Sequence, residues 1–126
     1  MQKEKIWSNY DFSGFRKKST FDLILTQLSE LEKKTNGRLK IDVESINNPV
    51  IKIIYVSCPH LHDYRIKLFS IFQCDDYLIF PCKIISHVND VEYDDISEDI
   101  FPIKITELIN SKSIKNIIEY AYYQSR

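Results

Sequence analysis

Residues 50–85 read VIKIIYVSCPHLHDYRIKLFSIFQCDDYLIFPCKII, three β-branched and aromatic runs broken by turn-forming residues. The first, Val50 to Cys58, is apolar on both parities: Ile51, Ile53 and Tyr55 on one, Val50, Ile54 and Val56 on the other. Such a run fits a central strand covered on each face. Pro59 ends it. The second, His62 to Gln73, starts amphipathic and becomes apolar on both parities at Leu68-Phe69-Ser70-Ile71-Phe72. The third runs from Tyr77 to Ser86, and Pro81 within it cannot donate to a ladder, which predicts an edge strand or a bulge.

Outward from this stretch, Leu39, Ile41 and Val43 alternate with Lys40, Asp42 and Glu44, a half-exposed strand at or near an edge. Asn47-Asn48-Pro49 turns it back. Upstream, Phe21, Ile24, Leu25, Leu28 and Leu31 form one helical stripe over 19–36. Ser19 with Asp22 marks its start, and Lys33, Lys34 and Asn36-Gly37 mark its end. Downstream, Ile105 to Ile109 suggests one helical turn. Ser111 or Ser113 then caps a last helix whose stripe is Ile114, Ile117, Ile118, Ala121 and Tyr122. The pattern predicts one α+β domain: an antiparallel sheet of four to five strands flanked by an N-terminal and a C-terminal helix. Its parts are an aromatic arm (1–18, with Trp7, Tyr10, Phe12 and Phe15), a helix (19–36), a strand meander (39–86), an acidic loop (87–102) and a C-terminal helical region (103–124). Two amphipathic helices do not obviously cover both faces of such a sheet. The arm or a partner is then expected on one face, and a homodimer is one form that partner could take.

Composition narrows function by exclusion. Hydrophobic residues make up 44% of the 126, enough for a packed core. Two glycines leave no room for a glycine-rich phosphate loop. A net charge of −1 lacks the basic excess of a dedicated nucleic-acid binder, so nucleic acid is not the expected partner. Three cysteines, an odd number, suit reduced thiols better than a disulfide framework. No apolar run approaches the length of a membrane span and no leader pattern opens the chain. A cytoplasmic protein without a cofactor is expected.

Four clusters carry chemistry. Asp90, Glu92, Tyr93, Asp94, Asp95, Glu98 and Asp99 form the densest acidic stretch, with Asp75 and Asp76 as possible additions. Carboxylates interleaved with Tyr93, Ile96 and Phe101 fit a docking surface: charge steers a basic partner and aromatics anchor it. Cys58, His60, His62 and Asp63 are all zinc-ligand types, but their spacing matches no standard zinc pattern. A thiolate–imidazole enzyme on Cys58 needs a stabilised thiolate and a pocket. Arg16, Lys17 and Lys18, with Lys33, Lys34, Arg38 and Lys40, could make a basic patch for nucleic acid beside Phe12 and Phe15. The expectation is a non-catalytic protein-binding inhibitor of the immunity-protein type. It would occlude a basic toxin domain, nucleases included, through the acidic surface. A metal or cysteine enzyme centred on Cys58, His60 and His62, and a nucleic-acid-binding regulator, stand as alternatives.

Overall fold

The computed structural model describes residues 20–47, 50–62, 64–73 and 79–125. In order these form α1 (Thr20–Ser29), α2 (Leu31–Lys34), β1 (Lys40–Ile46), β2 (Ile51–Cys58), a 3₁₀ turn (Pro59–Leu61), β3 (Tyr64–Phe72), β4 (Cys82–Ser86), β5 (Glu92–Ile96), α3 (Phe101–Ile109) and α4 (Lys112–Gln124). The strands make a single antiparallel sheet in the order β1-β2-β3-β4-β5. The chain is α+β, with helices before and after a five-stranded meander. No helix among the described residues is long and apolar enough to cross a membrane. The aromatic arm and its basic residues, Arg16 to Lys18, lie outside the described residues.

One face of the sheet holds the core. Cross-strand neighbours share a face, and the pairs Val56–Ile66, Ile54–Phe69 and Ile71–Ile84 define the buried one. Leu39, Cys58, Cys82 and Ile96 join it. Against these pack Phe21 and Ile24 of α1, Phe101, Ile105 and Leu108 of α3, and Ile114 and Ala121 of α4. The described helices thus serve one face. The opposite face mixes Ile53, Tyr55, Ser57 and Ser70 with Glu44, Arg65, Lys67 and Lys83, and among the described residues no helix crosses it. Leu68 explains the doubly apolar run in β3. The register slips between Ile54–Phe69 and Tyr55–Lys67, so Leu68 is an extra, bulged residue. Leu68 and its neighbour Phe69 can therefore both be fully buried in the same core.

Four boundaries differ from the sequence expectation. The first helix is interrupted at Glu30, leaving α2 as a separate turn that ends at Thr35. Asn36 and Gly37 then take left-handed conformations, φ 55° and 82°, as a helix stop requires. Strand β4 starts at Cys82 rather than Tyr77 and is interior, not an edge. Pro81 has no N–H to give, so the ladder begins immediately after it. The acidic loop of 87–102 contains a strand, β5, which is the true edge. An edge strand needs apolar side chains only where it meets the core. Half-buried Tyr93 and buried Ile96 suffice while the carboxylates face solvent. Finally α3 starts at Phe101 instead of 105, because Pro102 in its first turn is compatible with a helix. Ser111, not Ser113, caps α4, accepting from the Ile114 N–H at 3.4 Å.

Phe101 ties these layers together. It is fully buried, stacked on Phe21 with ring centroids 5.9 Å apart and edge-on to Phe80 at 5.1 Å. Phe101→Ala should destabilise the fold by about 3–5 kcal/mol, read as a lowered urea midpoint. A loss below about 1 kcal/mol would mean the three rings do not form a packed unit.

Candidate functional site

The acidic segment becomes a built edge. Ser86 Oγ accepts from the N–H groups of Val88 and Asn89, and Asn89 Oδ1 accepts from Val91 N–H. This tight turn carries Asp90 at its tip and starts β5. The β4–β5 register then slips: Asp94 and Asp95 together oppose Lys83, and Asp95 sits at φ 54°, a left-handed position that Asp tolerates. Lys83 Nζ lies 2.7 Å from Glu92 Oε1 and 3.7 Å from Asp94 Oδ1. The hydrogen bond to Glu92, and that carboxylate's charge, push the Lys83 ammonium pKa up. Glu92 and Asp94 are thus partly neutralised. Asp90, Asp95, Glu98 and Asp99 are exposed and form no ion pair among the described residues.

The aromatic half of the expected docking surface is corrected. Ile96 and Phe101 are buried, and half-buried Tyr93 packs on the core with the Lys104 ammonium 5.1 Å from its ring centre. Strand alternation and the helix α3 turn these side chains inward, so the rim offers charge rather than aromatic anchors. Glu98 and Asp99 also stand just before the N-terminus of α3, where carboxylates favour the helix dipole. Asp75 and Asp76 lie outside the described residues.

The Cys58 cluster does not converge. Cys58 ends β2 facing the core, 1% exposed, with Sγ 3.9 Å from the Ala121 carbonyl oxygen. Burial pushes its thiol pKa up, the reverse of what a nucleophile or ligand thiolate needs. His60 and His62 are exposed on the 3₁₀ turn, and Asp63 lies outside the described residues. Among the described residues no group of three His, Cys, Asp or Glu side chains could hold a metal ion. Cys82 is also buried, and desolvation raises its thiol to about 11. The described part of the basic patch lies at the end of α2 and the start of β1. Lys33 and Lys34 end α2, Lys40 lies 3.8 Å from Asp42, and the Arg38 guanidinium stands over the Tyr122 ring at 5.3 Å.

The opposite face of the sheet holds two clusters that sequence reading missed. Tyr55 donates to Glu44 Oε1 at 3.1 Å, and the Arg65 guanidinium sits 4.0 Å over the Tyr55 ring and 3.9 Å from Glu44. Ser70 Oγ is 2.6 Å from His87 Nε2. The first joins residues of β1, β2 and β3 and the second joins β3 to the turn after β4, so only the register brings them together. Alternation could have flagged Tyr55 and Glu44 as sharing a face, but not their adjacency.

Two measurements check these environments. Desolvation, with the Lys67 charge, lowers the His87 pKa below its ordinary 6.5. The folded state then binds fewer protons than the unfolded chain, so His87 costs nothing above pH 6.5 and destabilises as pH falls from there toward its folded value. The urea midpoint should drop across that window, and His87→Gln should flatten the drop; an unchanged slope would contradict it. In a Cys74→Ser background, Cys58 and Cys82 should react with a thiol reagent at pH 8 at least about a hundredfold more slowly folded than in urea, since only the thiolate attacks and both thiols are buried. Comparison with protein-family models, curated proteins and solved structures gave no match.

Proposed function

We propose that this chain is a non-catalytic protein-binding inhibitor, of the kind that immunity proteins represent, which occludes a basic toxin domain through the β5 edge. A nuclease with a cationic cleft is the target type that best suits it. One observation supports this reading. Between Asp90 and Asp99 six carboxylates follow one another without a Lys or Arg, and four of them, Asp90, Asp95, Glu98 and Asp99, are exposed without an ion pair among the described residues. Uncompensated like charge on one rim raises the local potential and steers a cationic partner. Binding would proceed by charge complementarity and steric cover. Half-buried Tyr93 and buried Ile96 and Phe101 would support the rim from behind. The bulge at Asp94–Asp95 and the charges beside it disfavour strand addition at this edge, so contact is made through side chains.

The test is capture of partners from the source organism's lysate by the tagged chain, in parallel with an Asp95→Lys/Glu98→Lys/Asp99→Lys variant. The wild type should retain one stoichiometric basic protein that is lost as salt rises. The variant should not retain it, and coexpression of the wild type should suppress that protein's toxicity. Retention by the variant, or no salt-sensitive basic partner at all, sinks the proposal.

A further inference from the structure

The sheet face turned away from the helices holds a second buried set. Ile53, Tyr55, Ser57 and Ser70 are 7, 9, 0 and 3% exposed, yet none belongs to the cluster beneath the helices. Cross-strand pairing extends them into one apolar field. Ile53 stands between Glu44 and Ser70, Ser70 next to Ile85, and Ile51 between Ile46 and Phe72. Ile51, Phe72 and Ile85 are half-buried and also lie outside the helix-side cluster. Long side chains supply part of the cover. Arg65 lies over the Tyr55 ring and reaches Glu44, and Lys40 reaches Asp42. Both lean toward β1. The row Ile53–Ser70–Ile85 runs the other way, across β2, β3 and β4, and an open face would leave its middle wet. Ser57 adds a polar signal. Its hydroxyl is fully buried and without a hydrogen-bond partner among the described residues, so it keeps a donor to give.

The chain before Thr20 carries a matching cover. Residues 1–18 hold Ile6, Trp7, Tyr10, Phe12 and Phe15, and on an extended backbone Ile6, Tyr10 and Phe12 share one side. Where this segment enters the fold is fixed. Phe21 stacks on Phe101, which meets Phe80 just before β4, so α1 begins at the end of the sheet where β3 finishes and β4 starts. Eighteen extended residues span up to about 60 Å. Passing one sheet layer takes about 10 Å, and running from Phe72 to Arg65 takes about 25 Å. The shorter undescribed stretches do not reach that far. Residues 74–78 are tied at Gln73 and at Ile79, which packs on the helix side, and 48–49 and 63 are shorter still.

We propose that residues 1–18 lie extended across this second face, their apolar side on Ile51, Ile53, Phe72 and Ile85, with a backbone carbonyl of the arm accepting from Ser57. The entry point sets the order: Phe15 and Phe12 meet Phe72 and Ile51 first, and Ile6 and Trp7 lie farther on, toward Ser57. The arm thereby seals an apolar face that would otherwise compete with the β5 rim for partners.

A single thiol at position 57 reads the cover. Ser57→Cys in a Cys74→Ser background exchanges one oxygen for sulfur, and Cys58 and Cys82 are buried. The introduced thiol should react with a thiol reagent at least about tenfold more slowly in the folded chain than in urea. Adding Trp7→Ala, Tyr10→Ala, Phe12→Ala and Phe15→Ala, with circular dichroism unchanged, should speed that reaction at least about tenfold. If the combined variant does not fold, a photocrosslinking benzoylphenylalanine in place of Phe12 decides the matter in the otherwise unaltered chain. Irradiation should join position 12 to β2 or β3 of the same molecule, at a yield independent of concentration. A thiol that reacts freely in the intact chain overturns the proposal, as does one equally slow with and without the arm aromatics in a folded variant. Crosslinks to the helices also overturn it, and so do crosslinks between molecules, which would make the cover a second copy.

Discussion

The constraint on which this structure depends is that one apolar sheet face must be buried by helices that come from both ends of the chain. Ile54, Val56, Phe69, Ile71 and Ile84 form that face, and α1, α3 and α4 all contribute to the same cluster above it. The meander brings its strands together through short connections, whereas α1 meets α3 only after the whole sheet has been traversed. Phe101 closes this circuit against Phe21. Burial of a fully enclosed aromatic, about 1.5–3 kcal/mol, offsets part of the entropy of closing so large a loop. The bulge at Leu68 serves the same face, because it puts two consecutive β3 residues into the core where strict alternation would place one.

The opposite face buries Ile53, Tyr55, Ser57 and Ser70 and also carries polar pairs. Glu44, Tyr55 and Arg65 satisfy one another there, and Ser70 meets His87. Ser57 is the exception: its hydroxyl is fully buried and has no hydrogen-bond partner among the described residues. A lone unmet hydroxyl costs on the order of 1–3 kcal/mol. Its cross-strand neighbours are Lys40 and Arg65.

Much of the fold was legible because periodicity and burial agreed. The Phe21–Ile24 stripe, the alternation of β1 and the two-sided β2 each follow from residues that repeat at the period of the element they form. The misreadings arose where two signals competed. In β5 the density of carboxylates outweighed the spacing of Tyr93 and Ile96, although an edge strand tolerates charge on every outward position. In β4 the apolar residues before Pro81 suggested a longer strand, but a missing N–H outranks hydrophobicity in deciding where a ladder begins. For the candidate site, the carboxylates were legible as a cluster and their surroundings were not. Lys83 reaches Glu92 and Asp94 only through the β4–β5 register, and Tyr93 looks like an anchor until its inward orientation is known.

The two edges of the sheet illustrate how the same backbone problem is solved in opposite ways. Both β1 and β5 expose a row of peptide groups, which invites pairing. At β5 the answer is repulsion and distortion: carboxylates of one sign, a slip at Asp94–Asp95 and a left-handed Asp95 make a second β5 a poor neighbour. At β1 the charges are mixed and ordered, basic first and acidic last, and the ladder is regular along its length. The charge order, not the net charge, thus separates the two edges. The sum over residues 38–44 is zero, so a composition count reads this segment as neutral although its charges are ordered. The acidic rim has no such internal balance, and its field extends only over about a Debye length, roughly 8 Å at physiological salt. Between residues 90 and 99 six carboxylates stand with no Lys or Arg, so at β5 composition and placement agree, whereas at β1 placement alone carries the information.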